Sequence, residues 1–136
     1  MPATAAAYGL VVQPDVDERR SVRKSSRAAA AHLRDLYDHY ERWDLALAAY
    51  NAGVARVDRA VERFTELRSR ELAGVPVTFA DLASARLLPK ETADYVPKVT
   101  AFAVVLENQD YFGLRPTEPP EPLRTAELVL PRGTSL

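Results

Sequence analysis

The chain has 136 residues, 47% of them hydrophobic and 27% charged, enough for one domain with a modest core. Its 18 basic and 19 acidic residues leave a net charge of −1, which offers no electrostatic footing to a nucleic acid. With no cysteine, a disulfide framework and a thiolate metal site are both excluded, and the redox compartment stays open.

Residues 1–17 carry Pro2, Gly9 and Pro14 and read as a short turn or helix followed by an irregular entry. No basic leader precedes this mildly apolar start, so it does not read as a signal peptide. From about Glu18 to Trp43 the chain is free of Pro and Gly. Its apolar positions (Val22, Ala29, Leu33, Leu36, Tyr37, Tyr40) recur at steps of three and four, which predicts one long amphipathic helix. Ser21 or Asp17 is the expected cap.

Asp44 is the expected cap of the next helix, Leu45 to Ala52, whose nearly all-apolar sequence predicts burial on every side. Gly53 should end it. A further helix from Val54 to about Arg70 places Val54, Val57, Val61, Phe64 and Leu67 on one stripe. Leu72 to Val77 reads as a loop and Asp81 to Ala85 as a short turn. The last helix, Pro89 to Gln109, should turn Val96, Val99, Ala103 and Leu106 inward, with Phe102 and Val105 flanking. Pro97 within it removes one helical hydrogen bond and predicts a kink.

Beyond Gly113 the composition changes. Pro116, Pro119, Pro120 and Pro122 make a stiff extended linker, and Arg124 to Leu130 alternates like a single strand with nothing to pair with. The expected organisation is an all-α domain over residues 1–114 and a Pro-rich tail over residues 115–136. No apolar run reaches the roughly twenty residues of a membrane-spanning helix.

Few side chains invite chemistry. Tyr50 and Asn51 are polar groups in an apolar helix, so burying them is costly unless each finds a partner. On the string Ala-Ala-Tyr-Asn-Ala-Gly alone, a satisfied core tyrosine and a turn-forming asparagine explain them. Glu91 follows Pro89 at a helix start, where a carboxylate suits the macrodipole and the free N–H groups. Tyr95, four residues on, shares its face. His32 and His39 share a helix face but have no further ligands at metal spacing, so solvated or partly packed histidines are expected. The run Arg19, Arg20, Arg23, Lys24, Arg27 follows Asp15, Asp17 and Glu18 and reads as a solvated, self-compensated face.

Three segments in order give a sharper reading: Met-Pro-Ala-Thr-Ala at residues 1–5, Ala-Ala-Tyr-Asn-Ala-Gly at 48–53, and Leu-Pro-Lys-Glu-Thr-Ala-Asp-Tyr-Val-Pro-Lys-Val at 88–99. Together they resemble the lytic transglycosylases that cut peptidoglycan strands, the type D branch above all. The resemblance implies a lysozyme-like fold, peptidoglycan glycan strands as the partner, no cofactor and no metal. It also implies a cell-envelope location and a membrane-associated full-length protein. Tyr50, Asn51, Glu91 and Tyr95 would line the sugar cleft as substrate-binding residues.

In that family one glutamate protonates the glycosidic oxygen of the MurNAc–GlcNAc bond. The muramic N-acetyl group then attacks, and the same glutamate takes the C6 hydroxyl proton as a 1,6-anhydro ring closes. Such a group needs a raised pKa, whereas Glu91 at a helix start is expected to be held as the anion.

The resemblance places the catalytic glutamate upstream of Met1. The chain is therefore expected to be the C-terminal portion of the domain, without its N-terminal helices or a catalytic residue of its own, and inactive alone. A non-catalytic peptidoglycan-binding module and a helical interaction module are the alternatives. With a packing helix missing, the surface around Leu45, Ala49 and Ala52 should be an exposed apolar patch, forfeiting several kcal/mol at ~25 cal/mol per Å2.

Overall fold

The centre of the molecule is a ten-residue helix, Trp43–Ala52 (α3), in which Ala46, Ala48 and Ala49 are almost completely buried beside Leu45. Small side chains on every buried side let neighbouring helices approach closely, which suits the all-apolar sequence. In the computed structural model, which describes residues 2–68 and 74–114, the elements run α1 (Pro2–Ala7), a 3₁₀ turn (Glu18–Arg20) and α2 (Val22–Tyr40). They continue with α3, α4 (Val54–Leu67), α5 (Phe79–Ser84) and α6 (Lys90–Glu107). Among the described residues there is no strand, only one isolated bridge between Val12 and Asp17.

The segment expected as one helix from Glu18 to Trp43 is broken at both ends. Asp17 caps the 3₁₀ turn, and Ser21, in extended backbone, restarts the chain as the cap of α2 by accepting from the Lys24 N–H. At the other end Glu41 adopts a left-handed conformation (φ 52°), and Arg42 is extended, so Trp43 opens α3 instead of closing α2. The Tyr37 and Trp43 rings, 4.6 Å apart, pack across this corner.

Asp44 is not the cap of α3; it lies inside the first turn. One carboxylate oxygen accepts from Leu45 N–H (3.0 Å) and the other from Phe79 N–H (3.1 Å), so it ties the start of α3 to the start of α5. Of residues 81–85, expected as a turn, 81–84 belong to a helix that a Thr78–Asp81 capping box begins, and Ala85 is its C-cap.

Leu36, Leu45, Val57, Ala60, Val77, Phe79, Leu82, Leu88 and Val96 form one core cluster with the buried alanines of α3. The expected apolar patch is therefore absent where it was placed. Leu45 and Ala49 are buried at 4% and 1% exposure, and Ala52 is half-buried against the same cluster. Residues of α2, α4, α5 and the turn before α5 share the cluster that covers them. Leu67, expected on the inner stripe of α4, is exposed instead.

The described residues up to Ala101 belong to one compact unit and those from Phe102 to Leu114 to a second. In the first, Thr92 and Val96 are buried and Val99 is half-buried. In the second, Phe102, Ala103 and Leu106 are exposed, contrary to the inward or flanking positions their periodicity suggested, and only Val105 is half-buried. A helical stripe marks a face that can bury; it does not supply the partner. The Pro-rich tail, with the strand expected in it, and residues 69–73 lie outside the described residues.

Candidate functional site

The end of α3 and the beginning of α6 meet, forty residues apart in sequence. Gly53 closes α3 by donating its N–H to Ala49 O (2.8 Å) at φ 90° and ψ 141°. That backbone conformation suits glycine because a Cβ would strain it. The chain therefore turns immediately after Asn51 and Ala52 and leaves the Asn51 side chain at the helix end.

Asn51 makes two bonds there. Its Oδ1 accepts from the Thr92 hydroxyl at 2.7 Å, and its Nδ2 donates to Glu91 Oε1 at 3.3 Å. Thr92 is 1% exposed, so Asn51 satisfies a hydroxyl that would otherwise be stranded in the core. Glu91 is exposed on the first turn of α6, with the Asn51 amide donating to it.

Tyr50 is not a core tyrosine. It is 37% exposed, and its hydroxyl makes no hydrogen bond among the described residues. Tyr95 is half-buried on α6. Its phenol is raised above the ordinary tyrosine value by burial and, secondarily, by the neighbouring Tyr50 phenol. All four residues singled out in the sequence thus gather at one place. Asn51 is the bridge, Glu91 the exposed carboxylate, and Tyr50 and Tyr95 a pair of phenols beside them.

Three residues that sequence reasoning did not single out as a unit adjoin this site. Tyr8, just beyond α1, donates to Asp35 Oδ2 (2.7 Å) and lies 2.9 Å from His32 Nδ1. The His32 ring stands 5.0 Å from that of Tyr8 and 5.5 Å from that of Tyr50. The available signal was the three-residue spacing of His32 and Asp35, which puts both on one side of α2. The third residue, Tyr8, comes from outside α2 and has no sequence signal.

His39 lies elsewhere, 3.3 Å from Asp58, and no cluster of three or more His, Asp or Glu placed for a metal is found among the described residues. In the basic run, Arg19 pairs with Asp17 and Lys24 with Glu18, as a self-compensated face requires. No helix among the described residues is long and apolar enough to cross a membrane.

Residues 1–72 match the family model described as "Transglycosylase SLT domain". The chain is also similar to a membrane-bound lytic murein transglycosylase D of Escherichia coli strain K12, at 34% identity over 116 residues. The protein of the same description from an Escherichia coli O6:H1 strain gives the same values. The match covers 85% of this chain and 24% of each relative, so the chain spans about a quarter of their length. Tyr50 and Asn51 fall inside the family match, whereas Glu91 and Tyr95 lie beyond it. A stretch of 116 residues in a chain of 136 nevertheless includes all four positions wherever it begins.

Proposed function

Because the chain belongs to the transglycosylase SLT domain family, we propose that it forms the substrate-binding wall of a peptidoglycan lytic transglycosylase. Its all-α architecture is that of the lysozyme-like fold of this family. The observation that carries the proposal is the Glu91–Asn51–Thr92 chain of hydrogen bonds, which fixes one motif segment against the other and leaves Tyr50 exposed beside it. A binding wall needs such a fixed framework, because polar groups that hold a sugar must be ordered before it arrives.

In this reading Tyr50 and Tyr95 offer ring faces to the pyranoses, and Tyr50 adds an unengaged hydroxyl. Glu91 accepts hydrogen bonds from sugar hydroxyls or amides through the oxygen that Asn51 leaves free. Asn51 holds Glu91 in place. Glu91 is a binding group here and not the acid: it stands exposed at a helix start, whereas the reaction needs a carboxyl kept protonated in an apolar setting. The acid that cleaves the MurNAc–GlcNAc bond is assigned to none of these four residues. The cell envelope, where the relatives' descriptions as membrane-bound murein transglycosylases would put them, is the corresponding location.

Co-sedimentation with purified peptidoglycan sacculi tests the proposal. The chain should pellet with sacculi, and Tyr50→Ala or Glu91→Ala should lower the bound fraction severalfold while circular dichroism stays unchanged. If the parent chain stays in the supernatant, the reading fails.

A further inference from the structure

Charge is spread unevenly along this chain. Six of its 18 basic residues lie between Arg19 and Arg34 with no acidic residue among them, so the remainder carries 12 against all 19 acidic ones. A basic segment in an otherwise acidic chain is the pattern of a surface that meets an anionic partner. Compensation reaches only part of it. Arg19 pairs with Asp17 and Lys24 with Glu18, whereas Arg23, Arg27 and Arg34 are exposed and make no salt bridge among the described residues. The first acids beyond the segment are Asp35, which accepts from Tyr8, and Asp38, one turn past Arg34.

The three arginines share one side of α2. Spacings of four and seven residues set them in a row about 16 Å long, parallel to the helix axis. Ser26 and Ala30, small and exposed, belong to the same face, and Val22 at its start is 81% exposed. The row stands about 140–180° around the helix from His32, whose ring lies 5.5 Å from that of Tyr50. It therefore points away from the candidate sugar site, and a glycan held there leaves it uncovered.

This shape and chemistry select a flat anionic partner. Guanidinium forks stay charged at any physiological pH and grip phosphate oxygens two at a time. A straight row on a helix face meets a plane of phosphates at every position, and a bare valine beside it suits the boundary between headgroups and acyl chains. We propose that this face of α2 rests on an anionic phospholipid surface, with Arg23, Arg27 and Arg34 among the headgroup phosphates and Val22 at the edge of the acyl layer. The helix lies on the bilayer and does not span it. Docked in this way, the domain turns Tyr50 away from the lipid. The proposal uses none of the residues that carry the sugar-binding reading, so either can fail without the other.

Vesicle co-sedimentation of the 136-residue chain tests it, with phosphatidylcholine alone and with phosphatidylcholine and phosphatidylglycerol in equal amounts. The chain should pellet with the mixed vesicles only, and molar salt should release it. Arg23→Gln, Arg27→Gln and Arg34→Gln together should weaken vesicle binding about a hundredfold, from a roughly fivefold contribution per charge. Circular dichroism and sacculus binding should stay as in the parent chain. Because the chain has no cysteine, Val22→Cys gives a single site for an environment-sensitive fluorophore. Its emission should shift to the blue on mixed vesicles and not on soluble polyphosphate. Equal binding to both vesicle types, or a triple variant that binds like the parent, overturns the proposal. Pelleting without the blue shift overturns the lipid assignment, because the row then recognises phosphate in any setting. An equal loss of sacculus binding in the triple variant overturns it too, by making the row a wall contact.

Discussion

The buried hydroxyl of Thr92 reaches across 2.7 Å to Asn51, so the core and the candidate site share one hydrogen bond. Asn51→Ala strands that hydroxyl and should cost about 1–3 kcal/mol. For a domain of this size each kcal/mol is several degrees of melting temperature. Thr92→Val should cost less, because Asn51 is half-buried and water can replace its lost partner. Thermal melts of the two single variants and the double variant check this, and strictly additive losses would show that the bond contributes nothing.

Tyr95 should titrate above the ordinary tyrosine value of ~10. Its folded-state pKa is raised, so the associated stability is complete below the unfolded value and is lost as pH rises through the folded one. Tyr50→Phe removes the smaller of the two causes. Ring resonances of Tyr95 followed through alkaline pH should therefore show a midpoint that falls in this variant without returning to the ordinary value.

Asp44 predicts the acid side. Burial would raise its pKa, but the Arg42 guanidinium and the N–H groups of Phe79 and Leu45 outweigh burial, and the net shift is downward. A lowered folded-state value means stability that is present above the unfolded value, ~4, and lost as pH falls through the folded one. Urea midpoints should drop below pH 4. Asp44→Asn should be less stable at pH 7, with the gap to the parent chain narrowing toward pH 3.

Gly53→Ala tests the joint beside the site. No atom lies within 4 Å of an added Cβ, so a clash is not the difficulty. The strain comes from φ 90° and ψ 141°, and should cost about 1–3 kcal/mol. Equal denaturation midpoints for the two proteins would show that the backbone relaxes elsewhere.

Much of the helical layout was legible because burial leaves composition behind it. A stretch apolar but for Tyr50 and Asn51 and ending in Gly53 reads as a mostly buried helix with a stop. The break at Glu41 was not legible, since glutamate carries no preference for the left-handed backbone it adopts there. The capping box at Thr78 was present in the sequence, but α5 is too short to show a period. Misplacing the apolar patch had a different cause: sequence pattern marks Leu45 and Ala49 as apolar without saying that α4 and α5 would fold over them. The gathering of Tyr50, Asn51, Glu91 and Tyr95 came from motif resemblance. Periodicity alone would have explained each residue separately, and the Tyr8–His32–Asp35 cluster needs tertiary geometry to be seen at all.

Gly53 is also the whole of the connection between α3 and α4, which end at Ala52 and begin at Val54. Its N–H closes the first helix, and its carbonyl accepts from Arg56 and Val57 to open the second. A joint of one residue has no slack. An added residue would turn one helix by about 100° relative to the other and carry Val57 out of the core or Asn51 away from Thr92. The distance along the chain from Tyr50 to Val57 is in effect a ruler. Descendants of this sequence must put their insertions and deletions elsewhere.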